Sequence, residues 1–343
     1  MIAERPLTHG AIAVLNLSAQ IDALEPQVRL GRATVKDRAG LAELISLRGL
    51  ILGRIADHER ASEIAEQLVR DAPTDALALA ARARTRAGFH RFHDALTDLD
   101  WAERFSLDAE TANGERAAIF QALGRYDDAL ALREEAIKRR TTFENLAALV
   151  GLHAEQGEND AAERRYVESR SQYRGVSPFP LALLDFQMGR MWMDESRLDD
   201  ARRLFDTARR RVPAYAQAQG HLAEVEAELG EIDSAIASLR SLAESSDDPD
   251  YAAQLARILG EAGRNGESGH WSRLAAERYD ELLTSHPEAF ADHAAEFWLA
   301  AGADPGKAFK WAQTNVEVRN TPRARSLLTR AIAASAPFHA GRS

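Results

Sequence analysis

Cysteine is absent from all 343 residues, and that absence removes much chemistry. Disulfides, zinc–thiolate centres, cysteine-ligated iron–sulfur clusters and cysteine nucleophiles are excluded. The lack of cysteine fits a reducing compartment, so a cytoplasmic location is expected, although exported proteins can also lack it. Long apolar runs are missing too. No stretch approaches the roughly 18 apolar residues of a membrane-spanning helix, so no membrane insertion is expected. The opening MIAERPLTHGAIAVLNLSAQ has no cationic start before a clean apolar block, because Asn16, Ser18 and Gln20 interrupt it. It does not read as a signal peptide. Glycine (21) and proline (11) are too few for a low-complexity chain. An excess of positive charge is also lacking. The net charge of -10 argues against a general nucleic-acid binder, which needs a basic face to displace counterions, while leaving room for a local basic groove.

What is present favours helix: alanine and leucine, with arginine and glutamate beside them. The length exceeds what one simple core serves, so several domains or a repeat array are expected. The stretch LGRYDDALALREEA (residues 123–136) shows which. Gly124 closes one helix-like segment and Tyr126 opens the next, a two-helix hairpin with an apolar face it cannot bury alone. A small residue recurs at steps near 34: Ala61, Ala95, Ala129, Ala162, Ala201, Ala235, then Ser268 and Ala308. Only a small side chain fits where the two helices of a hairpin cross. Five residues earlier stand Gly124, Gly157, Gly230 and Gly263, suited to a left-handed helix end. Three residues earlier stand Phe92, Tyr126, Leu198 and Ile232 as apolar plugs. Pro73 and Pro213 lie twelve residues after the small position and stop the second helix, with Pro287 and Pro322 in shifted registers.

On these residues the chain resembles the tetratricopeptide repeat family, in roughly eight copies from about Leu41 onward. The resemblance implies an all-α fold, a right-handed α-solenoid of stacked helix-turn-helix units. Asn113, Asp185 and Gln219 depart from the family pattern at the early apolar position of the first helix. The expected organisation is an N-terminal capping helix in 1–40 and an array in 41–175. A connector in 176–181, marked by Pro178 and Pro180, reads as a flex point. A second array in 182–320 follows, then a closing helix and frayed tail in 321–343.

Motifs for catalysis are weak. His90 and His93 read as solvated turn residues with no third ligand nearby. His286, Asp292, His293 and Glu296 lack the spacing of a zinc protease and read as surface polarity. The glycines of GRNGESG (263–269) lack a phosphate-loop pattern and read as a turn. Asp127–Asp128, Asp199–Asp200 and Asp247–Asp248 read as helix-start charges, and Lys138–Arg140 and Arg209–Arg211 as solvated helix ends. Trp192, Trp298 and Trp311 read as core. No cofactor and no metal site is expected.

A binding reading is stronger. Solenoids bind on the concave surface lined by their first helices. Equivalent registers there give Leu50, Arg84, Ala118, Gly151, Arg190, Glu224, Arg257 and Phe297. Arg84, Arg190 and Arg257 form a ladder suited to carboxylates or phosphates. Gln121, Phe186, Gln187, Gln217 and His221 are neighbouring candidates, with Phe186 as an exposed apolar anchor. Arginine is also a good helix former, so its recurrence has an ordinary explanation. The expected function is a non-enzymatic scaffold whose partner is a protein or peptide with anionic groups, and not nucleic acid. The alternatives are a ligand-responsive regulator flexing near 176–181 and an enzyme or metal-binding protein built on the His286–Glu296 region.

Overall fold

The computed structural model describes residues 6–339, with side chains through 335. Among them are eighteen helices and no strand. α1 (Gly10–Arg29) precedes eight hairpins and α18 (Pro322–His339) follows them. The hairpins are α2/α3 (Val35–Leu52, Ile55–Asp71), α4/α5 (Ala76–Gly88, Phe92–Arg104), α6/α7 (Ala109–Ala122, Tyr126–Arg139) and α8/α9 (Phe143–Glu155, Asn159–Gln172). Then come α10/α11 (Phe179–Asp194, Leu198–Arg211), α12/α13 (Ala216–Glu228, Ile232–Ser245), α14/α15 (Pro249–Glu261, Asn265–Ser285) and α16/α17 (Pro287–Leu299, Pro305–Val318). Each hairpin packs on the next, which makes an all-α solenoid. The first hairpin starts at Val35, inside the stretch expected to cap, and a Thr34–Asp37 capping box fixes its start.

The small register behaves as its spacing predicts. Ala61, Ala95, Ala129, Ala162, Ala201, Ala235 and Ala308 have no exposed surface. Ser268 replaces alanine because its hydroxyl donates to the Ala256 carbonyl of the facing helix at 2.7 Å. The left-handed position five residues earlier is used even without glycine. Gly124 has φ +79°, and His90 (+57°), Ser196 (+57°) and Ala303 (+48°) adopt the same region at the same offset. Those three residues carry a Cβ where the backbone disfavours one.

Asp185 departs from the apolar pattern for a reason the fold supplies. It is fully buried and accepts from the Tyr166 hydroxyl at 2.7 Å and from Arg211 Nε at 2.6 Å. Arg211 is therefore no solvated helix end. Arg209 and Arg210, which pair with Asp206 on the surface, are.

The expected flex point is tied down. Residues 173–178 join α9 to α10, and Pro180 already sits in the first turn of α10, where its missing N–H costs nothing. Thr8 N donates to the Val176 carbonyl at 2.8 Å, the Tyr173 hydroxyl donates to Ser177 O at 2.6 Å, and Phe143 packs edge-on against Tyr173. A single core cluster runs from α8 and α9 into α10, so nothing separates two arrays there. The tail expected to fray begins inside α18, which runs to His339; 340–343 lie outside the described residues.

The solenoid also meets itself. The start of α1 and the turns inside the early hairpins rest on connections between the late ones, in matching order. Gly10 abuts the Arg211 carbonyl and Pro213, Gly53 abuts Ala216 and Tyr251, and Gly124 abuts Asn320. Ile55 N and Ala56 N donate to the two oxygens of Asp247 at 2.6 and 2.9 Å, and Ser246 Oγ donates to Gly53 O. The His90 ring donates from Nδ1 to Glu288 O at 3.0 Å, and Phe89 stacks on His286 at 4.1 Å. These hydrogen bonds link residues 191 to 198 apart, about six repeats of roughly 34 residues. One gyre of the superhelix therefore seats edge-on against the next. His90, expected in solvent, is part of this seam, and Asp247 caps α3 of the other gyre rather than its own helix.

Two substitutions test the backbone argument. Ser196→Gly and Ala303→Gly, both at exposed sites, each stabilise by up to about 1 kcal/mol by relieving the left-handed residue, read as a rise in urea midpoint. Asp185→Ala, which removes the buried carboxylate shared by Arg211 and the Tyr166 hydroxyl, costs up to about 3–5 kcal/mol in the same measurement.

Candidate functional site: the trough lined by the first helices

The first helices face inward and line a trough. Of the eight ladder positions, Leu50, Arg84, Gly151, Arg190, Glu224 and Arg257 are partly or well exposed, Ala118 is exposed, and Phe297 is 3% exposed. Phe297 packs on Tyr279 and Trp298 and drops out of the ladder. Phe186 drops out as an anchor too. It is 8% exposed, enclosed by Phe205, Tyr215 and His221 with ring centroids 5.3–5.6 Å away. It lies one helical turn before Arg190, on the flank that meets α11 and α12 instead of the open face. His221 is held in the same stack, with Nδ1 3.3 Å from Glu224. Gln217 accepts a long 3.4 Å hydrogen bond from the Tyr215 hydroxyl.

The three arginines differ in what they touch. Arg84 Nε donates to Glu115 on α6 at 2.5 Å. Arg257 reaches Glu224 on α12 at 3.4 Å and Glu261 on its own helix at 3.0 Å. Arg190 forms no hydrogen bond or ion pair with any described residue. Its guanidinium is held below its ordinary pKa, first by burial and then by the like charge of Arg323 on α18, with Asp194 and Glu155 only partly opposing. Part of its surface is open to water, yet it stands deep within the molecule, as a side chain on the wall of an internal trough must.

Neighbouring groups build a polar floor around it. Gln121 Nε2 donates to Glu155 at 2.8 Å while Gln121 Oε1 accepts from Arg133 Nη2 at 2.7 Å. Arg133 also donates to the Ala148 carbonyl. Burial pushes Arg133 down to about 10, and burial raises Glu155 against the pull of Gln121 and Arg190. Gly151 leaves open floor between Gln121 and Gln187, because a Cβ there would lie 3.5 Å from one amide and 3.9 Å from the other. Gln187 is exposed into that space. Arg133, Glu155 and Arg323 were missed from sequence: the first two occupy other registers and the third lies beyond the repeats.

No curated protein matches the chain in sequence. The family Tetratricopeptide repeat matches residues 193–258, from the end of α10 into α14. The chain carries tetratricopeptide repeats over that match, within a continuous array of eight helical hairpins. Its fold is similar to that of the human IFIT1 dimer with m7Gppp-AAAA, at a TM-score of 0.58 and 15% identity, covering 92% of this chain and 76% of that one. The human IFIT1 dimer with PPP-AAAA gives 0.56 and 15%, covering 92% and 78%. At that identity the likeness speaks to fold.

The seam of this repeat protein carries a second charged group. Asp292 on α16 pairs with Arg319, and His293 lies 3.5 Å from Asp250 on α14 and 3.9 Å from Asp292. Asp292 first, with Asp250 and Asp248 adding to it, raises His293 to about 9 against burial. Burial opposes the Asp292 charge, but His293, Arg319 and His90 outweigh it and hold the carboxyl at about 2. Burial, reinforced by Asp250, pushes Asp248 up to about 6. Burial, then Arg319, lowers His90, and burial lowers His58. Among the described residues no cluster of three or more His, Asp or Glu is arranged to hold a metal ion. No helix among them is long and apolar enough to cross a membrane.

The pH consequence has a definite sign. His293 titrates above its ordinary value of about 6.5, so its stabilisation is complete below that pH and is lost as pH rises through about 9. Asp248, at about 6, completes its ionisation in the lower part of that window, and the shifts of His90 and His58 are downward, away from it. The melting temperature therefore falls between about pH 6.5 and 9, and His293→Gln flattens that slope. An unaltered slope in the variant overturns the assignment.

Proposed function

We propose that this protein is a non-catalytic binding scaffold whose trough grips an extended peptide bearing carboxylates or phosphates, with Arg190 receiving one of them. The observation that carries this reading is the contrast within the ladder. Arg84 and Arg257 already have carboxylate partners, whereas Arg190, only partly open to water, stands near a second cation with no hydrogen bond or ion pair to any described residue. A charge held that way gains most from an incoming anion, since a charge-assisted hydrogen bond in a partly dry site is stronger than one in water. The repeat array is rigid before the ligand arrives, so little ordering cost falls on the receptor.

Single-stranded RNA is the second reading, because the similar human protein was solved with m7Gppp-AAAA and with PPP-AAAA. Charge pattern favours the peptide. Glu155 and Glu224 alternate with the arginines along the trough. A polyanion with one charge per nucleotide would meet repulsion at each of these carboxylates, whereas a peptide of mixed sign can match them. The buried state of Phe186 and Tyr215 also removes two rings on which bases could stack.

Fluorescence anisotropy with a labelled Glu- and phosphoserine-containing decapeptide, and separately with 5′-triphosphorylated AAAA, tests both. The peptide binds the parent protein more tightly than the RNA, and Arg190→Gln weakens it about 10- to 100-fold, the range for one charge-assisted contact. Equal peptide affinity in parent and variant, or preference for the RNA, overturns the proposal.

A further inference from the structure

A separate cavity opens at the N-terminal end of the trough, between α2 and α4. It is open to solvent on one side and has a volume of about 260 Å³. A cavity of about 150 Å³ suffices for benzene, so this one admits a ring with a short chain attached. Much of its lining is apolar, including Ala42, Leu47 and Leu50 from α2 and Phe89 at the end of α4. Such a space, walled by apolar side chains and rimmed by a few polar groups, is how small-ligand sites are built.

The rim determines which ligand. Glu43 and Arg84 both border the cavity, and Arg84 is already hydrogen-bonded to Glu115. Glu43 is exposed and makes no hydrogen bond or ion pair with any described residue. The three groups together leave one uncompensated negative charge at the mouth. His58 on α3, packed tightly against Gly49, forms the remaining titratable wall. Burial keeps its ring neutral at neutral pH, so it supplies no competing cation. Ser46 adds a hydroxyl that no described residue engages.

We propose that this cavity binds a ring-sized apolar group carrying an ammonium, with the ring between α2 and α4 and the ammonium on Glu43. The chemistry is shared by a free arylalkylamine and by a peptide whose N-terminal residue is aromatic. The site uses none of the residues around Arg190, and its ligand has the opposite charge. It therefore stands apart from the acidic-peptide reading, and either can fail alone.

The test is titration of the full chain with phenethylamine, 2-phenylethanol, 3-phenylpropionate and Phe-Gly amide, followed by amide chemical shifts. Phenethylamine binds saturably, shifts amides of α2 and α4, and binds at least tenfold more tightly than the alcohol. The propionate is weakest. Glu43→Gln, at an exposed site, abolishes the preference of amine over alcohol. Ser46→Phe fills the cavity and abolishes binding of both while the melting temperature is retained; Ala81→Leu fills it from α4 if the first variant is unstable. Arg190→Gln leaves all of this unchanged. Tighter binding of Phe-Gly amide than of phenethylamine assigns the site to a peptide N-terminus, and the reverse order assigns it to a free amine. An alcohol bound as tightly as the amine, shifts confined to other helices, or no saturable binding by any probe overturns the proposal.

Discussion

The carboxylate of Asp247 accepting the two leading amides of α3 is the interaction on which the shape of this molecule turns. Every helix begins with amides that have no intrahelical partner. α3 has no side-chain cap of its own, since Arg54 supplies none. Its amides are satisfied by a residue nearly six repeats later. A general property of helix ends thus becomes a tertiary lock, and it works only if the superhelix is wound tightly enough for successive gyres to touch. The glycines at Gly10, Gly53 and Gly124 belong to the same constraint, because a Cβ at any of them would crowd the opposing gyre at 3.0 Å or less.

Closure changes the electrostatics of everything inside. On an open solenoid the concave face is surface, and its charges are screened by bulk water. Here a side chain can keep contact with water while being surrounded by protein. His293 illustrates the condition: half its side-chain surface is open, yet three carboxylates around it govern its proton. Glu155 and Arg190 are in the same position. Salt therefore weakens these interactions less than it weakens the many i,i+3 pairs on the outer surface, such as Arg125–Asp128 or Arg197–Asp200.

The repeat register was legible because it is local. Hairpin length, the small crossing residue and the left-handed turn all follow from contacts within about 34 residues, so Ala61 through Ala308 could be placed by counting. The same counting located Arg84, Arg190 and Arg257, yet it could not distinguish them, because their partners belong to other helices. Phe186 shows where a one-dimensional ladder fails. Stepping back one helical turn from an inward-facing residue leads toward the next hairpin, and Phe186 is consumed by that contact. The seam had no signal in sequence at all. Asp247 beside Asp248 resembles an ordinary helix start, and His90 resembles a turn residue, until residues nearly two hundred positions away come into range.

These separate failures have one origin. A solenoid is described well by nearest neighbours, and the expectation of a flex point near Pro178 followed from treating it so. Once gyres touch, the connection between α9 and α10 is no longer a free joint, because Thr8 holds Val176 from the other side. A motion at that point would have to break contacts along the whole seam together. Binding in the trough is therefore expected to proceed on a preformed surface, and the chemistry of a ligand is decided by which inward side chains the fold has left without partners. Among the described residues Arg190 and Glu43 are two such groups, of opposite sign, at separate places along the same wall.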